Sequence, residues 1–404
     1  MAGYPAGVMT TVTSLGQRLV HARKRRRMSQ EQLATASNIY IGIIRKLEQG
    51  KRQSARLETV AALANALDVS MTELLGVQPG LTGNPQADVA SLRAAIYDRS
   101  DDTEPSPTTL LRQQVTDMRA LYWQARYGML AAQIPRHLAA ARSAVRAAKG
   151  DEQRRETNAI LSESLQITAS LVTHLAYEDL AHVALLQAVE AAEAAEDPLL
   201  RAAQHSATAW VLSRQGLWQQ AQTLAATAAR EVEPVLSQAS PEQIGLWGEL
   251  LHFGMVALAR EGRADEAHEL LALVQAAGQA IGTRIPTKYK VPFSSTWAAH
   301  SAVQLAQATD QPREALLAAQ RVEHPEALPP SVHARYLLNV AWAATLEWKS
   351  QEALDALRKI EQITPELLDH HGLARSIVEE LMPRRRRQRL PGLTGIAERM
   401  GVAE

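Results

Sequence analysis

Apolar residues along this chain recur mostly at the spacing of α-helices, and no stretch alternates between apolar and polar residues as a half-buried strand would. Near the N-terminus, Leu15, Leu19 and Ala22 fall on one face and predict an amphipathic helix that ends near Arg27. Farther along, Ala- and Leu-rich helical patterns alternate with short turns. The fold class predicted for the whole chain is therefore all-α.

A single asparagine separates the second and third helical patterns. Ser29, followed by Gln32 three residues later, is a capping-box pattern that predicts a helix continuing to about Ser37. Asn38 then stands where the chain must turn sharply, and asparagine tolerates the left-handed conformation that such a turn uses. A third helix is predicted over residues 40–48, and two short ones in RLETVAALANAL and SMTELL. Together they predict a five-helix bundle.

Composition divides the chain into five segments. The stretch GVQPGLTGNPQAD has no helical period and is rich in Gly, Pro and Asn, so it is interpreted as a linker. A second break, from Asp98 to Pro107, is rich in acidic residues and contains two prolines. The predicted segments are a flexible N-terminus at 1–14, the five-helix domain at 15–75, the linker at 76–88, a helical body at 89–382 and a basic C-terminal tail at 383–404.

The body contains a weak repeat, which becomes visible when its turns are aligned on the alanine that follows each. The turns AYEDLA, GLWQQA, GRADEA, DQPREA and WKSQEA end at Ala181, Ala221, Ala267, Ala315 and Ala353, with spacings of 40, 46, 48 and 38 residues. Twelve residues before each alanine stands a mostly small residue: Ala169, Ala209, Met255, Val303 and Ala341. This pattern resembles tetratricopeptide-type repeats stretched beyond their usual length. It predicts an α-solenoid of helix pairs with a concave face.

Charge is separated along the chain although the protein is neutral overall. Residues 1–56 carry a net charge of +9, and the remainder carries −9. A small basic head joined to an acidic body indicates a polyanion as partner of the head alone, and the alternative is a basic face that is merely solvated. The net charge of −13 over residues 57–382 favours a cationic ligand for the body. The basic run after Met382 either contacts phosphates, pairs with the acidic body or keeps the end of the chain soluble.

Composition also argues against several classes of function. The sequence has no cysteine, which excludes disulfides, a thiolate nucleophile and cysteine-ligated zinc. No apolar run reaches the length of a membrane helix, and the basic cluster at 23–27 follows the first apolar stretch instead of preceding it as in a signal peptide. No nucleophile motif, phosphate-binding loop or metal-ligand spacing is present. We therefore expect a cytoplasmic protein that is not an enzyme, with no catalytic residues, cofactor or metal.

The N-terminal pattern resembles a known DNA-binding domain. The segments SQEQLATASNIYIGIIRKLEQGKR and LETVAALANALDVSMTELLG are similar to the five-helix domain of the Xre family, the Cro- and lambda-repressor-like helix-turn-helix proteins. Specific features include the Leu33-Ala34 pair and the ending Leu47-Glu48-x-Gly50. The resemblance implies that the helix beginning near Tyr40 lies in the DNA major groove while the preceding helix crosses the backbone.

The same resemblance suggests which residues meet DNA. The positions that face base edges fall on Ile41, Gly42, Arg45 and Lys46, of which the first two lack a hydrogen-bonding side chain. Tyr40 and Ile41 are expected to contact thymine methyl groups, and Lys46 to reach guanine. Gly42 would permit close approach of the helix. Phosphate contacts are expected from Gln30, Lys51, Arg52 and the basic run at 23–27.

We therefore expect binding that depends strongly on salt, with modest direct readout of bases and a contribution from DNA shape. The alternative is a head that has lost base reading and serves dimerisation or a protein partner.

The repeat register also proposes which residues line the concave face of the body. In tetratricopeptide-type repeats, certain positions of the first helix of each pair face the groove. They are positions two, five and nine, when the small residue that precedes the turn alanine by twelve is counted as position eight. The candidates for a ligand groove are Gln166, Ser170, Ser206, Trp210, Glu249, His252, Trp297, His300, Gln304, Arg335 and Trp342. Aromatic rings, amides and an arginine suit an extended peptide or a small organic ligand. The alternative for each tryptophan is ordinary core packing.

The end of the body resembles the C-terminal part of actinobacterial regulators that join an Xre head to a tetratricopeptide-like body, in the segments RYLLNVAWAATLEWKSQEALDALRKIEQITPE and RSIVEELMPRRRR. That architecture is similar to the peptide-sensing RRNPP regulators of Gram-positive bacteria. The resemblance implies a homodimeric transcription factor that binds double-stranded DNA at a palindromic operator and senses a peptide or small-molecule effector. The alternative is a protein-interaction scaffold with a vestigial or non-specific DNA-binding head.

Overall fold

The computed structural model describes residues 14–52, 55–69, 71–75, 85–98, 104–286, 288–289, 291–386 and 388–402. Within these ranges the chain consists of helices joined by turns and contains no strand, so the predicted all-α class is confirmed. The chain forms two compact units. We call Met1–Val77 with Gly372–Glu404 the head unit, and Gln78–His371 the repeat unit.

The N-terminal part of the head unit contains α1 (Leu15–Arg25), α2 (Gln30–Ser37), α3 (Ile41–Glu48), α4 (Leu57–Leu67) and α5 (Met71–Leu75). The capping box predicted at Ser29 is confirmed, and a second one is present at Ser14. In each, the serine hydroxyl accepts from a backbone N–H that is otherwise unpaired at a helix start, which contributes on the order of 1 kcal/mol. Asn38 adopts the predicted left-handed conformation, with φ 54° and ψ 30°.

The helices of the head pack around a small apolar core in which Leu19, Leu33, Ile44 and Leu47 are fully buried. Helix α1 approaches α3 very closely at Gly16. A Cβ atom at Gly16 would lie 2.0 Å from the carbonyl oxygen of Leu47 in α3. The contact therefore requires a residue without a side chain, and it fixes the position of α3 relative to α1.

The described part of the repeat unit begins with α6 (Pro85–Tyr97), continues with six helix hairpins and ends with α19 (Pro365–His370). The hairpins pair α7 (Thr108–Trp123) with α8 (Tyr127–Ala147), α9 (Asp151–His174) with α10 (Glu178–Ala194), α11 (Pro198–Arg214) with α12 (Trp218–Glu231), α13 (Pro241–Arg260) with α14 (Ala264–Ile281), α15 (Ser295–Ala308) with α16 (Pro312–Ala319) and α17 (Pro330–Leu346) with α18 (Ser350–Ile363). Consecutive helices pack against each other, as in an α-solenoid.

The packing agrees with the predicted repeat register. The five turn alanines and the five small residues twelve positions earlier are all fully buried. Five residues before each alanine the backbone takes a positive φ of 58–81°, at Ala176, Gly216, Gly262, Asp310 and Trp348. This left-handed residue ends the first helix of each hairpin and lets the chain reverse. The turn, more than any particular side chain, is thus what the repeats have in common.

The hairpin of α7 and α8 does not appear when the turns of the chain are aligned on the alanine that follows each. Its turn has the same geometry, because Ala125 has a φ of 54°. Five residues later, however, the chain carries the fully buried Leu130 instead of an alanine. A search that aligned turns on alanine could not find this hairpin.

The stack of hairpins closes on itself. The first helices of the hairpins contact one another in order from α7 to α17, and α17 also packs against α7. The backbone N–H of Gly128, at the start of α8, donates to Oε2 of Glu366 in α19 at 3.0 Å. The first helices therefore surround a common interior, and we call their interior side the inner face.

The structure departs from the predicted domain boundaries at the C-terminal end. We predicted a body to residue 382 and a tail from 383, whereas Gly372–Glu404 belongs to the head unit. This segment forms α20 (Gly372–Leu381), a 3-10 turn at Met382–Arg386 and α21 (Leu393–Arg399), with Leu393 and Ile396 buried. It is therefore folded in its described part because it contributes apolar residues of its own to the head unit.

The C-terminal segment packs against the N-terminal helices through α20 and α5. Arg18 of α1 donates from Nε to the carbonyl oxygen of Leu74 at 2.7 Å. Burial lowers the pKa of Arg18 to about 10, while the carboxylate of Glu379 in α20 acts in the opposite direction.

At the N-terminal side, most of the predicted linker, residues 76–84, lies outside the described residues, as does the predicted flexible segment 1–13. The last four residues of the predicted linker already belong to α6. Among the described helices, none is long and apolar enough to cross a membrane.

Candidate functional site

Helix α3 presents two different faces. Ile44 and Leu47 are fully buried against the rest of the head, whereas Arg45 and Lys46 are exposed. Tyr40 precedes the helix as its N-cap residue and is 75% exposed, although it is aromatic. An exposed aromatic residue at the start of a helix, with two exposed cations in its last turn, is the arrangement expected of a surface that meets a nucleic acid.

The remaining predicted base-reading positions are partly exposed: Ile41 and Gly42. Beyond α3, Gly50 has a φ of 66° and turns the chain, and the N–H of Arg52 donates to the carbonyl oxygen of Lys46 at 3.0 Å. Lys51 and Arg52 are thereby held next to the end of α3, and both are exposed. This placement agrees with the phosphate contacts predicted for them.

Arg45 is engaged within the head, but only weakly. Its guanidinium donates to Oε1 of Glu31 at 2.9 Å. Both side chains are at least half exposed, and exposed ion pairs contribute little because water screens them. A good contact with a base edge is worth about 1–3 kcal/mol, so DNA can displace this partner.

Gln30, a predicted phosphate contact, has a hydrogen-bond partner within the head. Its side-chain amide donates to Oε2 of Glu48 at 2.6 Å instead of facing solvent. Glu48 also accepts from two guanidinium nitrogens of Arg23, at 2.6 and 2.8 Å, and these two side chains are largely buried. Breaking a buried pair costs roughly 3–5 kcal/mol, so the contacts of Arg23 and Gln30 with Glu48 brace α1, α2 and α3.

Sequence analysis did not give Glu48 this role, because its partners Gln30 and Arg23 are distant in sequence. Other members of the predicted basic run are also paired within the head. Arg25 donates to Glu73 at 3.0 Å, and Arg26 donates from Nε to the carbonyl oxygen of Leu67 at 2.8 Å. Fewer basic side chains are therefore available for phosphate contacts than the net charge of +9 over residues 1–56 indicates.

Gly42 makes room for Tyr40. A Cβ atom at Gly42 would lie 2.5 Å from the ring of Tyr40, a side chain that is free to swing into solvent. We expect Gly42→Ala to leave the head folded, because the obstacle is the far end of an exposed ring. DNA affinity is expected to fall several-fold as the ring moves. The check is fluorescence anisotropy with a bound duplex beside circular dichroism, and an unchanged affinity would remove Tyr40 from the contact surface.

Five predicted groove residues hold neighbouring first helices together. The Gln166 carbonyl accepts from Arg119 at 2.7 Å, and its amide donates to the carbonyl oxygen of Ala203 at 3.2 Å. Hydrogen bonds also join Ser206 to Glu249 at 2.7 Å, His252 to Ser301 at 2.8 Å and His300 to Asn339 at 3.3 Å. These polar side chains therefore connect α9 to α11, α11 to α13, α13 to α15 and α15 to α17.

The other predicted groove residues divide by exposure. Ser170 and Trp297 are buried, and Trp297 belongs to an apolar core cluster, as the core alternative anticipated. Trp210, Gln304, Arg335 and Trp342 are partly exposed and remain candidates for ligand contact.

Burial dominates the electrostatics of the inner face. It raises the pKa of Glu249 to about 7, although the hydrogen bond from Ser206 and the charge of Arg119 oppose the change. It lowers the pKa of His252 to about 4 and that of His300 to about 3. At neutral pH both imidazoles are therefore uncharged, and the positive charges of this region belong to arginines.

The sequence analysis missed a cluster of aromatic rings and an arginine near the C-terminal ends of α7, α9 and α11. Tyr122 and His174 are joined by a hydrogen bond of 3.3 Å, and the rings of Tyr127 and His174 stack with centroids 5.0 Å apart. Trp210 follows at 5.4 Å from His174, and the guanidinium of Arg214 lies 5.9 Å from the Trp210 ring. These residues come from α7, α8, α9 and α11, which extend from Thr108 to Arg214, so no local pattern could have grouped the whole cluster.

Comparison with known proteins supports the assignment of the head. A family model described as a helix-turn-helix domain matches residues 14–75, which cover α1 to α5. This part of the chain is therefore a helix-turn-helix domain. No curated protein matches the chain at a significant level.

Two solved structures are similar at low identity. One is PlcR of Bacillus thuringiensis in complex with the peptide PapR7 and DNA, at 12% identity and a TM-score of 0.32, with 76% of this chain and 94% of that chain covered. The other is a Rap protein complexed with competence and sporulation factor, at 12% identity and a TM-score of 0.40, with 88% and 99% covered.

Proposed function

We propose that this protein is a cytoplasmic, sequence-specific DNA-binding regulator of transcription of the Xre type, not an enzyme. The observation that carries the proposal is α3 of a matched helix-turn-helix domain, with its apolar face buried and Tyr40, Arg45 and Lys46 on its exposed face. In this proposal α3 enters the major groove, and Lys51 and Arg52 hold the adjacent phosphates.

The regulator acts as a homodimer on an inverted repeat. Two copies of α3 then read two half-sites about one helical turn, roughly 10 base pairs, apart. Because Ile41 and Gly42 offer no hydrogen bond to bases, part of the specificity comes from thymine methyl groups and DNA shape.

The repeat unit receives a peptide or small-molecule effector and changes the arrangement of the two heads. Partly exposed Trp210, Gln304, Arg335 and Trp342 on the first helices support this role. The effector has to bind one arrangement of the heads more tightly than the other, since only a difference in affinity shifts the equilibrium.

The test is selection of genomic DNA fragments by the full-length protein at about 50 and 200 mM salt. We expect a recurring inverted repeat, and we expect Lys46→Glu to weaken its binding by about 10- to 100-fold, because a base contact is lost and a negative charge faces the phosphates. Wild-type binding should fall steeply between the two salt concentrations.

The control is Lys149→Glu, the same charge change at an exposed position of the repeat unit. It should bind like the wild type. If wild type and Lys46→Glu retain the same unsorted fragments, the proposal is wrong.

A protein-interaction scaffold is the second candidate. It is favoured by the internal partners of Gln30, Arg23 and Arg25, which leave fewer groups for DNA than the sequence indicates. In that case Lys46→Ala should leave function in the cell unchanged, and the protein should retain no specific fragment in the selection.

A further inference from the structure

The C-terminal segment, Gly372–Glu404, is braced by an arginine that joins its two helices. Arg375 of α20 donates from Nη1 to the carbonyl oxygen of Gly401 at 3.5 Å and from Nη2 to that of Met400. Both carbonyls follow directly after α21, where helix carbonyls lack partners within the helix. Arg375 is buried, so this charge-assisted contact holds α20 and α21 together as one piece.

Two arginines of the basic run tie the 3-10 turn to the helices on either side of it. Arg384 donates to Oε1 of Glu380 in α20 at 3.0 Å. Arg385 donates to the hydroxyl of Thr394 in α21 at 2.7 Å. These side chains therefore stabilise the segment itself, a role that differs from the three predicted for the basic run.

Helix α20 packs against α5, in the N-terminal part of the head. Its buried apolar residues recur at the spacing of one helix face: Ala374, Ile377, Val378 and Leu381. Helix α5 has only five residues, far below the roughly 12–15 that an isolated helix needs to be even marginally stable. It therefore depends on the helices that it contacts, which are α1, α4 and α20.

The packing continues from α5 to the helix that is proposed to read DNA. Arg18 in α1 donates from Nε to the carbonyl oxygen of Leu74 in α5 at 2.7 Å, which fixes α1 to α5. Gly16, two residues earlier in α1, is the point of close approach to Leu47 in α3. A contiguous set of contacts thus leads from α20 through α5 and α1 to α3.

We propose that the C-terminal segment is a positioning part of the DNA-reading domain: it holds α5, α5 holds α1, and α1 sets the position of α3. The inference rests on the proposed function, because it states how the surface of Tyr40 and Lys46 is held in place. The reading domain is then built from both ends of the chain. Residues 14–75, which match the helix-turn-helix family model, are only one part of it.

Loosening of α20 then weakens DNA binding without removing a DNA contact. If α3 is in the reading position in only a fraction of the molecules, the apparent affinity falls by that fraction. The bound state still makes the same phosphate contacts, so the slope of log affinity against log salt concentration stays unchanged. A segment that itself contacted phosphates would behave differently, because disturbing it would reduce the slope.

The test uses full-length protein and the selected duplex, with affinity measured by fluorescence anisotropy. Leu381→Ala removes a fully buried side chain of α20 and should weaken binding by about tenfold or more, with an unchanged salt slope. Leu381→Met keeps the side-chain volume and should bind within about twofold of the wild type. Gln388→Ala, at an exposed position of the same segment, should bind like the wild type. A reduced salt slope in Leu381→Ala would overturn the proposal.

Two further readouts separate positioning from a general effect on folding. All seven tryptophans lie between residues 123 and 348, so unfolding followed by their fluorescence should be the same in every variant. Gly16→Ala separates α1 from α3 and so interrupts the set of contacts. In that background Leu381→Ala should cost less affinity than in the wild type. A side chain that only keeps the head folded would cause the same loss in both backgrounds, and that result would contradict positioning.

Hydrogen exchange distinguishes this inference from the proposed function, because it requires no DNA. Val378→Ala is a milder truncation on the same face, and it preserves the test if Leu381→Ala fails to fold. It should speed amide exchange in α5, α1 and α3, while α9 of the repeat unit exchanges as in the wild type. Faster exchange of α3 in a protein that selects no DNA would leave the positioning role standing while the proposed function fails. Specific DNA binding, with affinity and α3 exchange unchanged in both variants, would overturn the positioning role alone.

Discussion

Full-length protein carrying Gly16→Ala is expected to lose DNA affinity by more than about tenfold while its repeat unit stays folded. The new Cβ would lie 2.0 Å from the carbonyl oxygen of Leu47 and 2.9 Å from its carbon, and both are backbone atoms that cannot rotate away. Helix α3 must therefore move away from α1, and it carries Tyr40 and Lys46 with it. Overpacking of this kind costs roughly 1–3 kcal/mol or more.

The measurement is fluorescence anisotropy with the selected duplex, beside thermal unfolding followed by tryptophan fluorescence, which reports only the repeat unit. Gly395→Ala is the control, because it lies in α21 of the same head unit and its Cβ would meet nothing within 4 Å. It should bind DNA normally and gain up to about 1 kcal/mol from alanine's helix propensity. Wild-type affinity in Gly16→Ala would show that contact between α1 and α3 does not position the reading surface.

The head could be predicted from sequence because its signals are local. The capping box of Ser29 and Gln32 and the turn at Asn38 depend on residues within a few positions, and the structure confirms them. The sequence does not report which partners the polar side chains take within the head. Gln30 and Arg23 have the residue types and the positions of phosphate contacts, yet both bind Glu48, which lies 18 and 25 residues away. No local pattern reports such a pairing.

The body shows the same division between local and distant features. Hairpin turns recur because each needs one left-handed residue, and the chain marks several of them with Gly, such as Gly216 and Gly262. The register could say that His252 and His300 point toward the same side, but it could not say that each would bond to the next first helix. The hydrogen bond between Gly128 and Glu366, where the stack closes, joins residues that are 238 positions apart, and the sequence pattern does not predict it.

The repeat unit is expected to lose much of its stability as the pH falls from about 6 to about 4.5. Burial lowers the pKa of His137 to about 4, of His252 to about 4 and of His300 to about 3. In the unfolded chain each titrates near pH 6.5, so below that pH the unfolded state binds more protons. The stability these histidines confer is therefore complete above pH 6.5 and is lost as the pH falls toward their folded values.

Glu249 acts in the opposite direction. Burial raises its pKa to about 7, so the folded state binds its proton first and gains stability as the pH falls from 7 toward the ordinary value of a glutamate. It offsets about one of these three histidines, which leaves a net uptake of about two protons on unfolding by these four groups. Each proton corresponds to about 1.4 kcal/mol per pH unit, so roughly 4 kcal/mol is lost between pH 6 and pH 4.5. Domains are stable by only about 5–15 kcal/mol, so the loss is large.

Urea unfolding at several pH values, followed by tryptophan fluorescence, gives the free energy of unfolding as a function of pH. The slope of that dependence separates the contributions of these groups. His300→Asn cannot take up a proton and should make the dependence on pH shallower by about one proton, whatever constant loss of stability the new side chain causes. Glu249→Gln removes the opposing group and should make the dependence steeper by a similar amount. Gln279→Asn, which changes no titratable group at an exposed position of α14, should leave the slope unchanged. If His300→Asn and the wild type lose stability at the same rate, the folded repeat unit protonates this imidazole freely, and enclosure of the inner face does not control its charge.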